Sequence, residues 1–210
     1  MPYGVDLDQF RHDSNKEAED LKLISELNLE SPFLLYVGTI EPRKKVDDLI
    51  KAYNILVDRH LIDSEVKLVL AGKFGWKCES VKELLERNKE KDKIIHLGYV
   101  DQTYIGPLFR RALAVIYPSE SEGFGLPVLE AMAARTPVIT TRNSVMQSFA
   151  KDAVSYFTAG DIDELSTRIL EVADSYCDSF KLDIGFAIAS EYSWANSVKR
   201  HIHMYESMLS

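Results

Sequence analysis

Pro118-Ser119-Glu120-Ser121-Glu122-Gly123-Phe124-Gly125-Leu126-Pro127-Val128-Leu129-Glu130-Ala131-Met132-Ala133 follows directly on the apolar run Ala112 to Tyr117. That run has the length of a buried parallel strand, and Pro118 closes it. Gly123 and Gly125 free the backbone for conformations closed to other residues and allow a ligand to come close. Pro127 suits the first helical position, where its missing N–H costs nothing, so a helix is expected from about Leu126. Its free N–H groups and dipole would face a group lying beyond the carboxyl end of the strand, where α/β sheets bind ligands. A phosphate is the natural occupant. A carboxylate beside a phosphate would repel it, so Glu130, one or two turns in, is expected to accept sugar hydroxyls instead. The plainer alternative is that Glu130 only favours the helix start and the glycines only turn the chain.

Working outward, apolar runs alternate with amphipathic stretches. Phe33 to Val37, Val66 to Ala71, Ile94 to Leu97, Leu113 to Tyr117, Val138 to Thr140 and Val154 to Phe157 read as strands, separated by segments long enough for crossover helices. This is the pattern of an α/β fold with a Rossmann-like, doubly wound parallel sheet. Val46 to Asp58 carries a helical stripe at Val46, Leu49, Ile50, Tyr53, Leu56 and Val57, and Asp161 to Ser175 repeats the signal. Phe180 to Glu191 and Ser193 to Leu209 read as two closing helices, with Ser193 capping the second. The chain has 210 residues, enough for one domain with its own core. No internal repeat or low-complexity tract breaks it.

Net charge is −8, with 25 basic against 33 acidic residues and no long basic tract. Nucleic acid is therefore not expected as the main partner, and Arg43-Lys44-Lys45 stands out as a local anion site. Cys78 and Cys177 have no Cys-x-x-Cys or histidine-rich spacing, so neither a disulfide framework nor a zinc site is expected and a reducing cytosol is the default. His12, His60, His96, His201 and His203 have no metal-ligand company. No run approaches the roughly 20 apolar residues that span a bilayer, and the amino end lacks a signal-peptide pattern. A cytoplasmic domain is expected, one that could still visit the inner face of a membrane to meet a lipid-linked acceptor.

Glu122 and Glu130 stand in an E-x7-E spacing. With Leu35-Tyr36-Val37-Gly38-Thr39-Ile40-Glu41-Pro42-Arg43-Lys44-Lys45, Leu70-Ala71-Gly72-Lys73-Phe74-Gly75-Trp76, Leu97-Gly98-Tyr99-Val100 and Tyr192-Ser193-Trp194, the chain resembles the retaining glycosyltransferases of family 4. These are the group 1 enzymes with the GT-B fold, here in their mannosyltransferase-like subgroup. The resemblance runs along nearly the whole chain but covers only the carboxyl-terminal, donor-binding half of such an enzyme. Pro2-Tyr3-Gly4-Val5-Asp6 and Phe10 look like the linker into that half. The resemblance implies a linker and first helix over residues 1–30, a nucleotide-sugar-binding domain over 31–192, and a helix over 193–210 that crosses to an amino-terminal acceptor domain or separate subunit. An engineered fragment, a truncated gene product and a genuine split subunit all fit.

When the anomeric carbon–oxygen bond of a nucleotide sugar breaks, negative charge collects on the leaving diphosphate. Losing one donor to such charge costs about 3 to 4 kcal/mol. Arg43 and Lys44 follow the strand Phe33 to Val37, so they are expected to emerge at the same sheet edge as the Gly123 to Leu126 loop. By resemblance, Lys44 and Arg43 take the diphosphate, Glu122 lies near the transferred sugar, and Glu130 takes the ribose hydroxyls. The alternative for Lys44 is a solvated helix start. Gly38, Thr39 and Gly72 belong to the turns lining the site, Phe124, Gly125 and Leu126 offer backbone contacts, and Tyr99 and Val100 match the segment that holds the base. Packing alone would also explain Phe124 and Val100. Trp76 is expected to pack and Lys45 to sit at the surface. The resemblance implies a GDP- or UDP-linked hexose as donor, transferred with retention, with no further cofactor. No metal is expected, on the reading that no Asp-x-Asp metal motif appears and that cations take the metal's part.

Two departures stand out. Arg135 takes a position where relatives have glycine, which forces a choice between avoiding positive φ and accepting strain of about 1 kcal/mol. Gln147 and Ser148 replace a proline and a glutamate, which favours an alternative: a non-catalytic nucleotide-sugar-binding subunit. A dinucleotide-dependent dehydrogenase is the third reading, but the third glycine is absent and Pro127 opens the helix.

Overall fold

The computed structural model describes residues 3–88, 92–142, 144–174 and 179–209. Cys177 and Ser175, the expected last residue of one helix, lie outside the described residues, as do Met1 and Pro2.

Six strands, β1 (Phe33–Val37), β2 (Lys67–Ala71), β3 (Ile94–Gly98), β4 (Ala114–Tyr117), β5 (Val138–Thr141) and β6 (Ser155–Phe157), form one sheet in the order β3-β2-β1-β4-β5-β6. Every pairing is parallel. The central strand β1 is apolar throughout because both faces are covered: Phe33, Leu34, Leu35 and Tyr36 are all buried. The expected strands thus agree with the observed ones to within a residue at each end. Val66, Leu113 and Val154 fall just outside, because pairing begins with Phe33 opposite Lys67, Leu34 opposite Ala114 and Ile139 opposite Ser155.

The helices are α1 (Leu7–Phe10), α2 (Glu17–Glu26), α3 (Val46–Asp58), α4 (Glu79–Arg87), α5 (Gln102–Arg111), α6 (Leu126–Ala133), α7 (Val145–Ala150), α8 (Ile162–Asp174), α9 (Ser179–Glu191) and α10 (Trp194–Leu209). One layer holds α3, α4 and α8, while α2, α5, α6 and α9 pack together on the other side. The stripe read along α3 is its buried face: Val46, Leu49, Ile50, Tyr53 and Leu56 are buried and Val57 packs half-buried beside them. In α6, Val128, Leu129, Ala131, Met132 and Ala133 are all buried, so it is a core helix rather than a surface one.

The strand order reverses between β1 and β4. In a doubly wound sheet the connections leaving two such neighbours turn to opposite faces and open a crevice beyond their carboxyl ends. The turn carrying Arg43 and Lys44 and the loop leading to α6 both issue there.

Several contacts tie the periphery to this frame. The Arg110 guanidinium meets both carboxylate oxygens of buried Asp20 at 2.6 Å and also donates to the Gln9 carbonyl, joining α5, α2 and the start of the chain. Val5 pairs with Ser193, its N–H donating to the Tyr192 carbonyl at 2.8 Å. Ser193 Oγ accepts the Asn196 N–H at 3.3 Å, the cap expected for the last helix. Along α10, Trp194, Val198, Ile202, Tyr205 and Met208 lie exposed on a helical stripe. Arg135 adopts φ 55° and accepts the strain, with its side chain paired to Asp183 and its guanidinium 4.8 Å from the Phe186 ring.

Candidate functional site

The loops at the carboxyl ends of four strands are stitched into one surface. Past β1, the Gly38 N–H reaches the Ala71 carbonyl at 2.9 Å and the Ile40 N–H reaches Lys73 O at 2.9 Å; the Gly75 N–H returns to Ile40 O at 2.8 Å. Gly72 packs so tightly that a Cβ there would stand 1.9 Å from the Gly38 carbonyl oxygen. Only a bare backbone fits that approach. His96 Nε2 lies 2.7 Å from the Gly72 carbonyl, which joins β3 to the same rim.

The turn after β1 is a short 3₁₀ segment over Pro42–Lys44, ending with Lys45 at φ 51°. Its main chain meets the loop after β4: the Glu120 N–H donates to the Arg43 carbonyl at 2.8 Å, and Arg43 Nη1 donates to Ser121 O at 2.8 Å. Lys45 is therefore shaped by a left-handed turn as well as by the surface, and its ammonium lies 3.3 Å from Glu120.

At the centre is Glu122. One carboxylate oxygen accepts from Lys44 Nζ, from Ser119 Oγ at 2.6 Å and from the Tyr117 hydroxyl at 3.0 Å. The other meets Arg43 Nη1 at 3.0 Å, while Arg43 Nη2 holds Glu41 at 2.7 Å. Lys44 also donates to the Tyr117 hydroxyl and lies 4.7 Å from that ring's centroid. Desolvation pushes the Glu122 carboxyl up, but the hydrogen bonds from Lys44, Ser119 and Arg43 and the charge of Lys44 outweigh it and hold it below the usual carboxylate range. Arg43, Lys44 and Glu122, read from blocks 78 positions apart, are thus brought into direct contact. Their arrangement differs from the expected bare cations: Lys44 is buried and already paired.

Glu130 is in the opposite condition. It is half-buried on α6, its carboxylate has no hydrogen bond or ion pair among the described residues, and burial alone pushes that carboxyl up to about 7. Gly125, at φ 95°, caps α6 in a left-handed conformation, and a Cβ there would strike Met146 Cγ at 2.7 Å. Gly123 needs correcting. Its φ is not positive and a Cβ would meet nothing within 4 Å, so neither backbone freedom nor internal packing requires a glycine there.

Phe124 packs in an aromatic cluster with Tyr3, Phe149 and Tyr192 at centroid distances of 5.6–5.9 Å. Leu126 opens α6 and Thr39 lends its carbonyl to the Tyr36 hydroxyl at 3.1 Å. Tyr99 stands apart from the Glu122 cluster, beyond β3. It is 67% exposed with Lys73 Nζ 4.7 Å above its ring, and Val100 packs half-buried against the core. Trp76 does not pack as expected: it is 59% exposed, its indole N–H donating to Glu41 at 3.0 Å.

Asp-x-Asp spacing does occur, at Asp6–Asp8 and Asp161–Asp163, which the sequence reading passed over. Both are helix starts: Asp6 accepts the amides of Asp8 and Gln9, and Asp161 that of Glu164. Among the described residues, no group of three or more His, Cys, Asp or Glu is placed to hold a metal ion, and no helix is long and apolar enough to cross a membrane. The residues missed from sequence were Tyr117, read only as the end of a buried strand, and Ser119 and Glu41, quoted within their motifs without a role.

Comparison with known proteins supplies context for this geometry. The family described as "Glycosyl transferases group 1" matches residues 17–181. O-antigen chain mannosyltransferase B of Escherichia coli is 32% identical over 193 residues, which cover 90% of this chain and 50% of that protein. D-inositol 3-phosphate glycosyltransferase of Streptomyces scabiei is 28% identical over 208 residues, 90% of this chain and 46% of that one. This chain therefore spans half or less of the length of these relatives. Among solved structures, sucrose-phosphate synthase from Thermosynechococcus elongatus superposes with a TM-score of 0.82 at 22% identity, over 100% of this chain and 52% of the other. Anabaena HepE, solved in complex with UDP and glucose, gives 0.82 at 20% identity, over 97% and 55%. The shared fold is the Rossmann-like unit of GT-B proteins.

Proposed function

The chain belongs to the group 1 glycosyl transferases, and we propose that it is the donor-binding half of a retaining, family 4 hexosyltransferase that uses a nucleoside-diphosphate sugar. The observation that carries the proposal is the meeting of the Arg43–Lys44 turn and the loop into α6 at the β1/β4 reversal. Cations and a helix amino terminus at one crevice can receive a diphosphate and stabilise its charge as it departs. Relatives named as mannosyltransferases favour a mannosyl donor, while a structural neighbour crystallised with UDP-glucose keeps UDP beside GDP as the nucleotide.

In this reading Lys44 and Arg43 take the diphosphate and the α6 terminus, through Gly125 and Leu126, adds N–H donors. Glu122 faces the sugar. Glu130, whose carboxylate has no partner among the described residues, accepts the ribose hydroxyls, whose donors would repay its desolvation. Gly123, with open space above it, lets the donor approach. Gly38, Thr39 and Gly72 line the floor and Tyr99 and Val100 the base end. Residues 31–192 form the nucleotide-sugar domain, and the exposed stripe of α10 meets an amino-terminal acceptor domain. Transfer by the isolated chain is weak or absent, and any visit to a membrane comes through the acceptor.

Isothermal titration with GDP, UDP and ADP, then with their mannose, glucose and N-acetylglucosamine conjugates, tests the proposal. Binding of one diphosphate, undiminished by EDTA, is the expected result. Failure of all three to bind, together with failure to complement an amino-terminal domain, would discard it.

A further inference from the structure

Glu41, Arg43, Lys44 and Glu122 form a cluster whose formal charges cancel. A diphosphate entering it must draw Lys44 from Glu122, because among the described residues that ammonium donates to Glu122 and the Tyr117 hydroxyl. Glu122 then needs another hold. Arg43 is half-exposed and shared with Glu41 and the Ser121 carbonyl. Ser119 Oγ has one proton for three acceptors, Glu122 at 2.6 Å and the Arg43 and Ser121 carbonyls at 3.2 Å. Tyr117 differs from both. Its hydroxyl receives from Lys44 and has Glu122, at 3.0 Å, to donate to.

The ring cannot easily swing away. It stacks on Tyr36 with centroids 6.4 Å apart and planes 15° from parallel, and Tyr36 is itself anchored to the Thr39 carbonyl at 3.1 Å. The Tyr117 backbone is held in β4, its carbonyl accepting Thr140 Oγ1 at 2.9 Å. We propose that Tyr117 is a positioning residue: its hydroxyl keeps the Glu122 carboxylate in place while Lys44 turns to the donor's diphosphate. This rests on the donor-binding reading above.

The titratable groups facing Glu122 are Glu41, Arg43 and Lys44 from the turn after β1, Tyr36 from β1 and Tyr117 from β4. Burial, then the Glu122 charge, keep the Tyr117 hydroxyl protonated, so it remains a donor. Tyr117→Phe removes that one proton and leaves the ring face over which Lys44 sits.

Carboxyl carbon-13 NMR titration of Glu122 in the whole chain and in Tyr117→Phe is the test, with thermal melting as the control for folding. The variant should raise the Glu122 pKa by about one unit, a tenfold gain in proton affinity from one lost donor. Saturation with GDP or UDP should widen the gap between the two proteins, and nucleotide affinity near neutral pH should fall in the variant by the same factor. Equal pKa values, or a gap that narrows on saturation, would overturn the proposal. If neither nucleotide binds the unaltered chain, the donor-binding reading falls, and the ligand-free comparison still decides whether Tyr117 holds Glu122.

Discussion

Glu122 and Glu130 stand eight positions apart within one sixteen-residue stretch, yet their surroundings are opposite. The loop surrounds Glu122 with Lys44, Arg43, Ser119 and Tyr117, and its carboxyl is held ionised. The helix leaves the Glu130 carboxylate desolvated and without a partner among the described residues, and its pKa rises to about 7. The lesson is that residue type and spacing do not carry the chemistry by themselves. A carboxylate with both oxygens engaged supports its neighbours; one with neither engaged among the described residues is set up for a visitor.

The harshest way to break the contrast is Glu122→Ala, which leaves Lys44 buried without its counter-charge. Urea unfolding should show a loss of about 3–5 kcal/mol; a loss near zero would mean that Lys44 finds another partner at no cost.

Glu130→Gln should act with the other sign. A carboxyl whose pKa in the folded chain, about 7, lies above its ordinary 4.5 contributes stability that is complete below the unfolded value and lost as pH rises through 7. The neutral amide escapes that loss. The variant should therefore be more stable than the unaltered chain by about 2–3 kcal/mol at pH 8, with the advantage gone by pH 4. Denaturation at the two pH values checks it, and a pH-independent difference would remove the desolvated carboxylate from the account.

Binding sharpens the comparison further. Lys44→Ala and Glu130→Ala should each weaken nucleoside-diphosphate affinity at least tenfold, about 1.4 kcal/mol, by calorimetry. Unchanged affinity in both places the site elsewhere. The smallest effect belongs to Gly123→Ala, where open space and an ordinary φ limit the change in unfolding free energy to about 0.5 kcal/mol.

The frame was legible because its signals are local. β1 and α3 were readable to the residue from an unbroken apolar run and a 3.6-residue stripe, and α6 from Gly125 and Pro127 around its first turn. Arg135 at positive φ was legible as a choice, not as an outcome. What stayed hidden depends on distant partners. The Lys44–Glu122 pair joins residues 78 positions apart, and no spacing rule announces that a strand-end tyrosine will sit between them. Trp76 was misread for the same reason: a large apolar ring suggests packing, and only the fold shows that it lies outside, tied to Glu41. The lone state of Glu130 is likewise a tertiary property.

The pairing of Val5 with Ser193, with Gly4 pressed against Trp194, makes one mechanical joint of two segments nearly two hundred positions apart. Separating them would cost that backbone hydrogen bond and uncover the buried Val5 side chain, so the entering segment and the base of α10 are fastened to move as one piece.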